Sequence, residues 1–201
     1  MYRIYVLIIC LIPGSAIQAQ SGWELRKDKD DIVIYTRESP DNHLKEYRVS
    51  ALIECPLQEM VGFALDLEIR PQWVINCKGL RIIDTVGERI RYHTVYEIPW
   101  PFKDRDLLVA MELVARDSVR AHLLTRSIEL DYPLEEDVVR MSRYREEIFY
   151  EKLDENSTMF RAEGFADPGG KLPPWLVNMF LVDGVYDSVI KTREAVAASN
   201  R

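Results

Sequence analysis

Apolar and polar residues alternate along most of this chain, and the two-residue period of a β-strand accounts for it. The clearest run is Leu44 to Cys55. Tyr47, Val49, Ala51 and Ile53 fall on one side, and Glu46, Arg48, Ser50 and Glu54 on the other. Leu107, Val109, Met111, Leu113 and Ala115 form a second apolar row, and Val119, Ala121, Leu123, Thr125 and Ser127 a third. Trp23 to Thr36 reads as a hairpin turning within Lys27 to Asp31. Further strands are predicted over Gly79 to Val86, Arg89 to Ile98, Val138 to Tyr150 and Thr158 to Phe165. In Val138 to Tyr150, Arg140, Arg143 and Arg145 interrupt both faces.

Two segments break this rhythm with helical spacing. Leu57, Met60, Val61, Ala64 and Leu65 recur at intervals of three and four behind Pro56, which fits a first turn. Arg70 to Val74 follows as a short helical or irregular connection. Near the end, Asp167-Pro168-Gly169-Gly170 is a turn, Pro173-Pro174 primes a helix, and Trp175 to Ala197 is predicted to be helical. Its first half, Trp175 to Val182, is apolar almost all round, so it is expected to be covered on most sides. A single sheet cannot bury its own face, and this helix is the only element long enough to fill the concavity. The predicted architecture is α+β: a curved antiparallel sheet wrapped around a long C-terminal helix, a helix-grip arrangement. No repeat or linker interrupts it, so one domain is expected.

The first nineteen residues stand apart. Arg3 precedes the apolar run Tyr5 to Ile12, Pro13-Gly14 breaks it, and Ser15, Ala16 and Ala19 are small. This is the order of a secretory signal peptide, cut after Ala19. The expectation is a leader over 1–19, a single domain over 20–201, and a periplasmic or secreted product. Loss of Arg3 moves the net charge from −7 to −8. An acidic chain without basic blocks is a poor nucleic-acid ligand and gains no electrostatic hold on an anionic membrane. Export allows a disulfide between Cys55 and Cys77, although two buried, unbridged thiols are the preferred reading. Asn156-Ser157-Thr158 is a glycosylation sequon that matters only in a eukaryotic secretory route.

Catalytic chemistry is sparse. The histidines are His43, His93 and His122, with no zinc-ligand spacing, no phosphate-cradling glycine loop and no Gly-x-Ser-x-Gly elbow. No cofactor or metal is expected. His93 and Glu97 share one strand face. They are either an acid–base or metal pair, the former that of a cyclase-like pocket enzyme, or surface residues of the convex side. Asp104-Arg105-Asp106 puts neighbours on opposite faces and reads as an ion pair pinning the loop before Leu107.

Five stretches, in order, resemble one known family, the START (steroidogenic acute regulatory-related lipid transfer) domain. They are Trp23-Glu24-Leu25 with Ile32-Val33-Ile34-Tyr35; Pro71-Gln72-Trp73-Val74; Tyr96-Glu97-Ile98-Pro99-Trp100-Pro101-Phe102; Lys103-Asp104-Arg105-Asp106; and Asp167 to Asn178. The resemblance implies a hydrophobic tunnel holding one lipid under a mobile C-terminal helix, transient membrane contact, a monomer and no catalysis. The lining it implies is Trp73, Glu97, Leu107, Val109, Met111, Leu123, Thr125, Tyr144, Phe160, Leu176, Met179, Phe180, Val182 and Tyr186. Glu97 matches the cavity glutamate of sterol-binding members, but Met111 stands where its partner arginine would be. A lipid carrier is therefore implied, and a cholesterol carrier is not. Strand alternation puts Tyr92, Thr94 and Tyr96 inward, which sends Glu97 outward unless a bulge precedes Pro99. Alternation alone fits a filled core and a ligand cavity equally. The lid is expected to pivot near Gly169-Gly170 and Pro173-Pro174, with Gly184 as a second flexible point.

Overall fold

The structure, a computed structural model, describes residues 22–40 and 43–199. The leader expected over 1–19 lies outside the described residues. Ten strands form one sheet: β1 (Glu24–Lys29), β2 (Ile32–Glu38), β3 (Lys45–Ile53), β4 (Cys77–Val86), β5 (Arg89–Tyr96), β6 (Asp104–Arg116), β7 (Arg120–Ser127), β8 (Val138–Arg140), β9 (Arg143–Lys152) and β10 (Thr158–Asp167). Among the described residues three helices accompany them: α1 (Leu57–Leu65), α2 (Arg70–Trp73) and α3 (Pro174–Ser199). The strand order is β1-β2-β3-β10-β9-β7-β6-β5-β4. Pairing is antiparallel except for β8, which runs parallel to β6. The helix-grip prediction describes this arrangement.

The turns follow from local chemistry. Asp30 and Asp31 both have φ of 54°, and Lys29 pairs with Ile32. A two-residue hairpin of this kind needs positive φ at both central positions, which aspartate tolerates better than most residues.

The strand expected over Val138 to Tyr150 is two strands. β8 pairs with Asp104 to Asp106 of β6, on the edge that β7 leaves open before Val109. The chain then changes partner at Met141-Ser142 and continues as β9 between β7 and β10. Arg140 is the reason the alternation failed there. Its guanidinium is committed to Asp106 rather than to solvent, with Nη2 donating to Oδ2 at 2.6 Å.

Ile32, Ile34, Val49, Ala51 and Ile53 pack from the sheet against Met60 and Val61 of α1 and Val189 and Val196 of α3. Each such side chain, fully buried, contributes about 1.5–3 kcal/mol. The N-terminal half of α3 behaves differently from the prediction of all-round cover. Trp175 is 66%, Met179 53% and Phe180 59% exposed. The sheet covers one side of that half, and nothing among the described residues packs on the other. Cys55 and Cys77 form no disulfide with each other; Cys55 is buried, whereas Cys77 is only half-buried. No helix among the described residues is long and apolar enough to cross a membrane.

Candidate functional site

A cavity of about 410 Å³ lies between the concave face of the sheet, α2 and α3. That volume falls within the range typical of small-molecule sites. Its wall is mostly apolar: Val49, Ile53, Met60, Leu107, Leu123, Ile148 and Phe160 from below, and Phe180, Leu181, Val185 and Val189 from the helix. Its polar groups are few, and they converge.

β9 supplies the first of them. Tyr144, Glu146, Ile148 and Tyr150 alternate inward along this strand, which places one carboxylate on an otherwise apolar face. Glu146 accepts a hydrogen bond from Tyr47 Oη at 2.5 Å and another from Tyr144 Oη at 3.0 Å. Tyr47 is on β3, two strands away, and β10 lies between. Gly164 makes the contact feasible. It pairs with Tyr47 on one side and Glu146 on the other, and a Cβ there would sit 2.5 Å from the Tyr47 ring. Only glycine lets that ring cross the strand. Burial, and then the charge of Glu146, push the Tyr47 and Tyr144 phenols well above their usual range.

α2 supplies the second polar group. Arg70 is 8% exposed, and its guanidinium lies 5.2 Å from the Trp73 ring and 6.0 Å from the Tyr92 ring. Among the described residues no carboxylate forms an ion pair or hydrogen bond with it. Burial alone would lower its pKa, but Tyr92, Tyr96, Tyr144 and Glu146 hold it above its ordinary value. It remains a cation. Trp73 also lines the cavity, and its buried Nε1–H has no protein partner among the described residues.

Glu97 reaches the cavity mouth, and the tension over its direction is resolved by where β5 stops. The strand ends at Tyr96, so alternation no longer governs the next residue, and Tyr96 and Glu97 both line the cavity. His93 goes the other way. It is buried on the outer face, where Nε2 is 3.0 Å from Asp106 Oδ2 and the Tyr132 ring is 4.9 Å away. His93 and Glu97 are therefore not brought together. In place of the expected Asp104-Arg105-Asp106 ion pair, each of the three residues has its own partners. Asp104 takes Lys78 at 2.8 Å, and Asp106 takes His93 and Arg140. Arg105 donates to the Pro168 carbonyl at 2.8 Å and the Gly169 carbonyl at 3.3 Å. It thereby holds the turn that leads into α3, where Gly169 and Gly170 have φ of 63° and 69°.

Of the lining residues taken from the sequence, Trp73, Glu97, Leu107, Leu123, Tyr144, Phe160 and Phe180 meet in the cavity. Val109, Met111 and Thr125 share the inward face but lie where the core is filled, each at most 1% exposed. Leu176, Met179, Val182 and Tyr186 lie on parts of α3 that do not line it. A helix shows one stripe to the cavity, and Phe180, Leu181, Gly184, Val185, Ser188 and Val189 occupy it. Tyr186 instead bonds Asp30, and Lys27 sits 4.4 Å above its ring. The sequence reading missed Arg70, Glu146 and Tyr47. Glu146 had a legible signal, a charge at the inward position of an apolar row. Arg70 had none, because a four-residue helix is too short to show a period.

The helix itself is latched at several points. Asn178 Oδ1 accepts from Lys45 N at 2.9 Å, and Asn178 Nδ2 donates to the His43 carbonyl at 2.9 Å. Lys27 pairs with Asp183 at 2.6 Å, and Arg193 donates to the Leu52 carbonyl at 2.9 Å.

A curved sheet closed over an apolar cavity by one long helix, with a few buried polar groups, defines a helix-grip binding domain. The START domain family model matches residues 15–200, and the chain belongs to that family. It is similar to an uncharacterised protein of Pseudomonas aeruginosa, with 24% identity across 92% of this chain and 90% of the relative. The phosphatidylcholine transfer protein of Mus musculus is 26% identical across 82% of this chain and 79% of its own length. Among solved structures, the STAR-related lipid transfer protein fragment from Xanthomonas axonopodis superposes with a TM-score of 0.79 at 20% identity, covering 88% of this chain and 99% of that one.

Proposed function

We propose that this protein encloses one phospholipid, acyl chains in the apolar cavity and phosphate against Arg70, and carries it between membranes. Arg70 carries the reading. A buried guanidinium without an anionic partner bears a desolvation cost of several kcal/mol, and a ligand phosphate offsets it with charge-assisted, bidentate hydrogen bonds. The unpartnered Trp73 Nε1–H adds a second donor beside it. The apolar wall answers the other half of the task. An acyl chain of about fourteen carbons in water costs roughly 11 kcal/mol, at ~0.8 kcal/mol per methylene, and the cavity must return most of it. The phosphatidylcholine transfer protein of the mouse is consistent with a ligand of this class.

Loading requires the lid to move. α3 is the element that separates the cavity from solvent, and Gly169-Gly170 is the turn at its base. Trp100, 92% exposed, and Phe102 stand in the β5–β6 loop, and Trp175, Met179 and Phe180 are exposed on α3. Ile98 of that loop and Phe180 line the same cavity, so these apolar side chains are carried by two elements that border it. They are suited to brief insertion into a bilayer surface. We further propose export, through the leader expected over 1–19, to the periplasm or beyond. The test is Arg70→Met. Incubated with phospholipid vesicles and re-isolated, the unaltered protein should retain one phospholipid by native mass spectrometry, and the variant at least about tenfold less. Equal retention by both would overturn the phosphate assignment.

A further inference from the structure

We infer that the cavity selects a phospholipid whose headgroup ends in a primary ammonium, with Glu146 as the acceptor for that ammonium. The inference rests on the phospholipid reading above and deepens it. Besides the exposed Glu97 and Arg105, which is committed to the Pro168 and Gly169 carbonyls, the cavity holds two opposite charges, Arg70 and Glu146, that are not bonded to each other among the described residues. Arg70 stacks over Trp73 and Tyr92, while Glu146 is held by Tyr47 and Tyr144. A zwitterionic headgroup has the matching pair, a phosphate and a cation separated by a short spacer.

The surroundings of Glu146 choose between kinds of cation. Each tyrosine gives its single proton to the carboxylate, which leaves a lone pair on the Tyr47 oxygen, one on the Tyr144 oxygen beyond that facing Thr125 Oγ1 at 3.4 Å, and further acceptor sites on the carboxylate. Three acceptor groups thus cluster at one place, and a primary ammonium carries three N–H donors. A quaternary ammonium has no donor and is bound through aromatic faces. Trp73, which lines the cavity, already has the Arg70 guanidinium over its ring, and Tyr47 and Tyr144 present their hydroxyls, not their ring faces, to Glu146. A headgroup ending in a neutral hydroxyl supplies a donor but leaves the carboxylate charge uncompensated.

The experiment presents the full chain with vesicles holding equal parts of phosphatidylethanolamine, phosphatidylcholine and phosphatidylglycerol of identical acyl composition. The lipid retained after re-isolation is then weighed by native mass spectrometry. The expected result is phosphatidylethanolamine over each of the others by at least about tenfold, the factor one hydrogen bond to a charged group contributes. In Glu146→Gln that ratio should fall to near one, and in Tyr144→Phe to an intermediate value. If the unaltered protein takes the lipids equally, or prefers another of them, the headgroup inference is overturned while the phospholipid reading stands. A preference that survives Glu146→Gln, or Tyr144→Phe where the first variant does not fold, also overturns it. If no phospholipid of any kind is retained, the phospholipid reading itself fails.

Discussion

Gly164→Ala tests whether the polar end of the cavity is built as described. The added Cβ would lie 2.5 Å from Cε1, Cζ and Oη of Tyr47, closer than any van der Waals contact. The backbone cannot yield, because Gly164 is paired in register with Tyr47 on β3 and Glu146 on β9. The ring must swing away, and its bond to Glu146 is lost. A hydrogen bond to a charged group contributes about 1.5–3 kcal/mol. Replacing a strand glycine by alanine otherwise returns roughly 0.5–1 kcal/mol. The net expectation is a destabilisation of about 1–2 kcal/mol, or a melting temperature about 2–8 °C lower for a chain of this size. The assay is urea and thermal unfolding of Gly164→Ala alone and in a Tyr47→Ala background, where no ring remains to be displaced. In that background the same change should be neutral or stabilising. Equal destabilisation in both backgrounds, or stabilisation in the unaltered protein, would refute the crossing of Tyr47 over Gly164.

Two further outcomes follow from the lid and from the buried phenols. Asn178→Ala removes two hydrogen bonds to the β2–β3 connection, each contributing about 1 kcal/mol. Lipid uptake from fluorescent vesicles should become several-fold faster, and unchanged kinetics would argue against movement of this helix as the gate. Tyr47, Tyr92, Tyr96, Tyr144 and Tyr150 all have pKa values raised, in each case first by burial. Above the ordinary tyrosine value of about 10 the unfolded chain releases protons that the native state keeps, so stability present below that pH falls as pH rises toward the folded values. An ultraviolet titration should show five of the ten tyrosines ionising late, together with unfolding. A single smooth ionisation of all phenols near pH 10 would contradict their burial.

Much of the sheet was legible because alternation and burial are the same physical fact seen twice. Val49, Ala51 and Ile53 are inward in the pattern and buried in the fold. The reading failed where side chains answer to partners remote in sequence. Arg140 looked like a break in a strand, and it is the half-buried partner of the fully buried Asp106, thirty-four positions away. His93 looked like a surface residue because alternation put it on the convex side. The segment carrying Tyr132 and Pro133 lies over that side, and Arg140 is bonded to both their carbonyls at 2.8 Å. Periodicity reports which face a residue occupies and says nothing of what covers that face. Met179 failed in the opposite sense: its apolar surroundings suggested cover, yet it is more than half exposed. The family resemblance supplied the cavity and its lid, while Arg70 and Glu146 emerged only from the packing.

The two faces of the sheet handle buried charge in opposite ways, and the contrast bears on function. On the outer face, Asp106 is fully buried, and its Oδ2 meets both His93 and Arg140. That charge is compensated within the protein. On the inner face, Arg70 and Glu146 share one cavity without an ion pair between them, although direct pairing would lower the cost of burying both. Tyr47 and Tyr144 hold Glu146 in place, and the Trp73 and Tyr92 rings flank Arg70. Such fixed groups reduce what a ligand loses in ordering the site as it binds. Consecutive residues of β6 connect these roles. Asp106 anchors the outer cluster, Arg105 grips the carbonyls of the lid turn, and Leu107 forms cavity wall. Three consecutive residues thereby tie the neutralised exterior to the base of the helix proposed to act as the lid. Among the described residues neither Arg70 nor Glu146 has an ion-pair partner, and a zwitterionic headgroup would neutralise both.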